Sequence, residues 1–294
     1  MARPAHPAGP VMTAPSLGRG MLRRFACNRG AVASLALLLL LGGVALVGPA
    51  LLGRPPGWID WEHVAVAPFT AAGHWLGTDR LGRDLLVRTL HGLRVSLAIA
   101  LAATLVSLLV GVSWGAVAGY LRGRVDTLLM RIVDVLYALP QVFFVIVLTV
   151  ACGRSPLTLL IAIAAFGWLT TARIVRAQAL ALREREFIAA AIVGGAGPVR
   201  IIARHVVPNL LGPVVVYATL LIPQAILVES FLSFLGIGVQ QPLASLGNLI
   251  ADGAAEMQTA PWLLLVPGGC LVLLVAVCNF LGDGLRDALD PQDS

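Results

Sequence analysis

Few residues in this chain are of a type that does chemistry, and their placement narrows what that chemistry is. All 21 basic residues are Arg; the sequence holds no Lys. A phosphate-binding loop of the form GxxxxGK[ST] sets a Lys on the terminal phosphates of a nucleotide. The chain therefore lacks the ordinary means of hydrolysing ATP for itself. His6, His63, His74, His91 and His205 form no ligand cluster by spacing, no HExxH or GxSxG run occurs, and Cys27, Cys152, Cys270 and Cys278 lack CxxC spacing. No catalytic group, metal site or cofactor is expected. Two acids, Asp134 and Glu229, stand inside apolar stretches. Intramembrane carboxylates are costly and usually face a bundle interior, so both are candidates for a solute pathway or gate. For Asp134 the plainer reading is pairing near the interface, with Arg131 held by Asp134 or by Asp126. Glu229 reads as a gate or as a packing acid.

The elements that carry these residues are apolar. Of 294 residues, 58% are hydrophobic and 12% charged, and the mean hydropathy is +0.89. Soluble chains are about one quarter charged, so the composition places this one in lipid. The net charge of +6 would suggest nucleic acid in a soluble protein. Here the Arg residues fall between apolar runs and read as topology signals, with no nucleic-acid partner expected. The first run, 31–52, has 22 residues without a charge. At 1.5 Å per residue it reaches about 33 Å, enough for a hydrocarbon core of about 30 Å. Its length exceeds that of a signal-peptide core, and it is expected to stay as a span. Further spans are expected at 95–120, 131–151, 157–174, 209–231 and 262–281. Pro213, Pro223, Pro267 and the Gly268–Gly269 pair lie inside the last two, as places to bend.

Six spans put both ends of the chain on one side. Fifteen Arg residues then fall on the side of the termini and six on the other, namely Arg54, Arg80, Arg83, Arg88, Arg94 and Arg154. The positive-inside rule makes the termini cytoplasmic. The expected organisation is a cytoplasmic tail (1–30), a first span (31–52), an external loop (53–94), a five-helix core (95–282) and a second tail (283–294). In the external loop Leu81, Leu85, Leu86, Leu90 and Leu93 recur at helical spacing, opposite Arg80, Arg83, Asp84, Arg88, His91 and Arg94. This predicts an amphipathic helix at the outer interface, with Arg80–Asp84 and Asp84–Arg88 pairs. It serves either as a plain anchor or in a further role.

The core contains one long cytoplasmic segment, 183–208, that is neither apolar nor disordered in composition. A charged turn (Arg183 to Glu186) leads into the apolar, Ala-rich stretch 187–193; Gly194, Gly195 and Pro198 then signal a corner. Val199, Ile202 and Val206 are expected on one side of a second stretch, with Arg200, Arg204 and His205 on another, before Pro208 opens the fifth span. Two short helices joined by a glycine corner either grip a partner through the small side chains of Ala189 and Ala190, or pack only on the chain's own span ends.

The run EFIAAAxxxGA from Glu186, followed by RHxxPN from Arg204, resembles the EAA loop of ABC-importer permeases. In that family the loop forms a coupling helix seated in a cleft of the cytoplasmic ATPase. Glu186, Ala189, Ala190, Gly195 and Pro208 match the motif by position, with Arg204 and His205 in its second half. Ile192 and Gly194 stand where relatives often carry Arg and Leu. LGTDRLGRDLL (76–86), SFLGIGVQQP (233–242) and NFLGDGLRDALDP (279–291) resemble the C-type permeases of dipeptide, oligopeptide and nickel importers. Leu246 and Ala254 replace a usual Trp and Arg. The resemblance implies an all-α integral membrane fold of six transmembrane helices, that of a type I ABC-importer permease. It also implies a homologous second permease making a heterodimer, two cytoplasmic ATP-binding subunits, an external solute-binding protein and a place in the bacterial inner membrane. A peptide or related small solute would cross unaltered. A secondary transporter or channel working alone would need ion-coupling carboxylates at mid-bilayer and repeated halves. Neither is visible, and segment 183–208 would have no role.

Overall fold

The computed structural model describes residues 24–289. The tail residues 1–23 and 290–294, with the cytoplasmic assignment of Arg3, Arg19 and Arg23 and the end of the 279–291 motif, lie outside the described residues. Among those described, no strand forms and the chain is helical. Helix α1 (Arg29–Leu51) begins at Asn28, whose side chain accepts the Ala31 N–H. Then come α2 (Leu85–Leu121), α3 (Gly123–Tyr137), α4 (Gln141–Cys152), α5 (Pro156–Arg183), α6 (Glu186–Val193), α7 (Pro198–Ile201), α8 (Val207–Phe234), α9 (Leu246–Ala255) and α10 (Trp262–Leu289). Five segments are long and apolar enough to cross a membrane: α1, α2, α5, the α7–α8 segment and α10. The pair α3–α4 makes a sixth if taken as one span, although it bends by 82°.

That bend corrects the expected straight span at 131–151. Pro140 cannot donate to a preceding turn and pushes Leu139 out of the helical region, so the helix stops at Tyr137 and restarts at Gln141. The prolines singled out for bending behave differently. α8 runs through Pro213 and Pro223, and α10 through Pro267. Pro223 and Pro267 are buried, and Pro213 is exposed.

The bundle is organised on α2 against α5. Gly111, Gly115 and Gly119 recur every four residues of α2, and α5 lies so close that side chains there would collide. A Cβ at Gly111 would sit 2.5 Å from Thr171 Cβ, at Gly115 2.5 Å from the Ala172 carbonyl oxygen, and at Gly119 2.6 Å from the Arg176 carbonyl oxygen. In lipid there is no hydrophobic drive between helices, so this close backbone approach supplies the association. A buried cluster of Leu93, Ile99, Leu159, Ile226, Leu232 and Leu274 joins α2, α5, α8 and α10. Asp126 on α3 pairs with Arg176 on α5, and Asp134 with Arg173 at 2.8 Å. The partner expected for both acids was Arg131; the α3–α5 packing brings the α5 arginines to them instead.

The segment before α2 is also corrected. It is not an interfacial helix: residues 53–84 are a folded loop, closed by isolated antiparallel bridges of Ile59 with Arg83 and Thr78 with Asp84. Helix begins only at Leu85, where Asp84 accepts the Val87 N–H as N-cap at 3.0 Å. The expected Arg80–Asp84 and Asp84–Arg88 pairs do not form. Asp79 takes both Arg83 and Arg88, Arg88 also reaches Asp252, and Arg80 pairs with Glu256 at 2.7 Å. Residue Leu246, expected in an external loop, is instead fully buried at the start of α9, while Ala254 stays exposed.

Candidate functional site: a projecting corner and a membrane cavity

At the end of the bundle where α2 finishes, α5 is tied down by its own last turn. Arg183 Nη1 donates to the Tyr120 carbonyl at 2.6 Å, and Arg122 donates to Glu184 at 2.8 Å and to the Leu180 carbonyl at 3.2 Å. From there α6 projects. It ends at Gly194 and turns at Gly195, whose φ of +79° suits Gly and whose missing side chain would point into open space. Ile188, Ile201 and Val206 turn inward and pack with Ala116, Tyr120, Val175 and Leu210.

The second half of the segment departs from the expected pair of short helices. Residues 202–206 form a π turn, with the Val207 N–H reaching back five residues to the Ile202 carbonyl. Pro208 has no N–H to give and its ring would crowd the carbonyl four residues earlier; the widened turn absorbs both. Pro198–Phe234 is thus one continuous helical segment, with Pro208 in the first turn of α8 as expected. Its buried face is Ile201 and Val206, not the Val199, Ile202 and Val206 set expected from spacing. Val199 is 81% exposed, together with Val193 at 89%, Ile192 at 51% and Phe187 at 41%. Glu186, Ala189, Ala190, Gly195, Arg204 and Pro208 are exposed around the same corner, and His205 is half-buried. This places Glu186, Ala189, Ala190 and Gly195 on the projecting corner and Arg204, His205 and Pro208 on the helical segment leading back from it, and adds an apolar patch that spacing did not flag. Its signal was available: large apolar residues directly beside the corner glycines.

The two membrane acids lie apart. Glu229 is 0% exposed on α8. It accepts hydroxyl hydrogen bonds from Ser96 on α2 at 2.6 Å and from Ser233 at 2.8 Å. Ser96 in turn accepts the Leu246 N–H at 3.2 Å, so the carboxyl binds α2, α8 and the start of α9 together. A cavity of about 400 Å³ opens instead beside the α3–α4 break, lined by Thr104, Ser107, Tyr137, Gln141, Thr170 and Gln224 among apolar neighbours. Neither Asp134 nor Glu229 lines it. The Thr104 hydroxyl is buried there without a partner. Gln141 and Gln224 each follow a proline inside an apolar run, the sequence signal that was missed.

The histidine reading needs a correction as well. His63 and His74, eleven residues apart, fold around Asp60 and present their ring nitrogens to one carboxylate oxygen.

A multi-span helical bundle with a polar cavity between its helices and an apolar corner beyond its end has the build of a membrane permease. The family model for binding-protein-dependent transport system inner membrane components matches residues 111–292, and that for the N-terminal transmembrane domain of oligopeptide transport permease C matches residues 16–68. The chain belongs to the family of binding-protein-dependent transport inner membrane components. It is 50% identical over 95% of its length, and 92% of the relative's, to the oligopeptide transport system permease protein OppC of Escherichia coli. It is 40% identical over 94% of its length to the protein of that name in Bacillus subtilis, where 90% of the relative is covered, and 42% identical over 92% to the dipeptide transport system permease protein DppC of the same organism, where 84% is covered. It is accordingly a multi-pass inner-membrane permease subunit, not itself a catalytic enzyme.

Proposed function

We propose that this chain is one half of a heterodimeric permease that imports peptides, driven by two cytoplasmic ATP-binding subunits and fed by an external solute-binding protein. The observation that carries the reading is the corner of α6 and α7. Its apolar residues Phe187, Ile192, Val193 and Val199 are left exposed by the described residues, while Ile188, Ile201 and Val206 root it in the bundle. A patch of this kind suits a protein cleft, and Ala189 and Ala190 allow close approach. Glu186 provides a charge for that cleft. Both termini lie on the cytoplasmic side with this corner. Four of the Arg residues assigned to the opposite side support that assignment, because Arg54, Arg80, Arg83 and Arg88 are taken up in ion pairs of a folded cap.

Peptide as the substrate class is supported by the names of the relatives and by the cavity. Its polar lining is neutral: hydroxyls and amides that can pair with a peptide backbone while leaving side-chain charge unselected. ATP binding closes the ATPase pair, moves both corners and rocks the spans between two arrangements. Asp134 and Glu229 act on this pathway from outside its lining, as ties between helices that move together.

The test is coupling in the assembled complex. Glu186→Arg reverses the charge offered to the cleft, and Gly195→Trp puts a bulky residue at positive φ in open space. ATPase activity stimulated by the loaded binding protein should fall by more than tenfold in each, with membrane insertion retained. Coupling at the wild-type level in both variants would refute this role for the corner.

A further inference from the structure

The folded loop 53–84 holds three potential metal ligands around one point. Asp60 Oδ2 lies 3.0 Å from His63 Nδ1 and 3.2 Å from His74 Nε2, and all three atoms fall within 4.8 Å of one another. His74 is 1% exposed, and its second nitrogen, Nδ1, lies 2.8 Å from Asp84 Oδ2. We propose that Asp60, His63 and His74 form a binding site for a divalent transition metal of the zinc type, which pins the loop to the start of α2.

A neutral imidazole carries one N–H, and His74 lies between two carboxylates, so either an imidazolium donates to both or a cation takes the lone pair on one side. With the N–H on Nδ1 donating to Asp84, the Nε2 lone pair points to the place that Asp60 and His63 also face. A carboxylate on the far nitrogen is the arrangement that fixes the tautomer and angle of a metal-ligating His. Asp84 is fixed in turn by capping α2 through the Val87 N–H at 3.0 Å. Trp58 stacks near His74, with ring centroids 6.4 Å apart.

A tetrahedral ion with ligands at about 2.0–2.1 Å has ligand-to-ligand edges of about 3.3 Å; the two contacts to Asp60 are 3.0 and 3.2 Å, and the His63–His74 edge is within 4.8 Å. The His63 side chain is 39% exposed, which leaves the fourth position open to water. The nearby cation, Arg54, lies 3.8 Å from Asp84 and balances that carboxylate rather than Asp60. Two His and one carboxylate, with a second carboxylate behind, match the ligand preference of zinc over magnesium or calcium.

The experiment uses the full chain in detergent, stripped with a chelator and equilibrated with limiting zinc or cobalt. Wild type should retain one zinc per chain against dialysis and gain in unfolding midpoint. The cobalt form should show visible tetrahedral bands without the near-ultraviolet thiolate band that the four free cysteines would give. His63→Ala, at a partly exposed side chain, should lose that zinc and the midpoint gain while remaining folded. Asp84→Asn keeps an N-cap of equal quality and should weaken zinc about 10–100-fold. Failure of the wild type to retain zinc, retention in His63→Ala equal to wild type, or a thiolate spectrum would each overturn the proposal and leave a hydrogen-bonded His–Asp network.

Discussion

The two ends of α2 are built on opposite physical plans. At Leu85 the chain buries charge: Asp79 accepts from the Leu81 and Arg83 N–H groups and Arg83 Nε within the folded loop, and from Arg88 on α2. At Leu121 the chain exposes apolar surface on a corner rooted by only a few inward residues. Burial of paired charge makes a region hard to deform, since separating the partners strands an ion. Exposure of apolar surface leaves a region incomplete until something covers it. A transporter needs both: a fixed surface where solute is received, and a handle through which work enters.

The sharpest way to break this contrast is to remove one partner of the buried pairs. Asp79→Ala takes the carboxylate from Arg83 and leaves Arg88 only Asp252, and should cost about 3–5 kcal/mol, seen as a large fall in unfolding midpoint in detergent; an unchanged midpoint would erase the distinction between the ends. Glu229→Ala removes the acceptor for Ser96 and Ser233 and should cost about 1–3 kcal/mol. Its companion Glu229→Gln should assemble normally, and unimpaired uptake by it would strike Glu229 from the candidates for a gate. The smallest stability effect belongs to the other end. Val199→Asp should stay within about 0.5 kcal/mol of wild type, while recovery of the ATP-binding subunits with the purified permease drops. A stability loss comparable to Asp79→Ala would mean that the corner is core and not handle.

Much of this was legible in the residue order because lipid imposes a length rule. The uncharged run 31–52 falls almost wholly on α1, Arg29–Leu51, and the corner glycines sit where α6 ends. The break after Tyr137 was missed because hydropathy is blind to direction: the run 131–151 stays apolar whether straight or bent, and only Pro140 marked the turn. The folded loop was missed for a different reason. The helical spacing of Leu85, Leu86, Leu90 and Leu93 is real within α2, but Arg83 and Arg88 turn to Asp79 in the loop before it, and the partners Asp252 of Arg88 and Glu256 of Arg80 lie too far along the chain to be visible in a local window. The grouping of Asp60, His63 and His74 depends on the same fold-back. In the corner, the π turn was hidden because Pro208 reads as a helix start, and only the tertiary packing of Ile201 and Val206 lets the helix continue through it.

The glycine ladder of α2 carries a mechanical consequence. Backbones in contact along three successive turns have no side-chain cushion to shear or compress, so α2 and α5 travel as a single girder. The rocking of the spans proposed above would then fall at the break between Tyr137 and Gln141 and along α8, with α2 and α5 moving as one body.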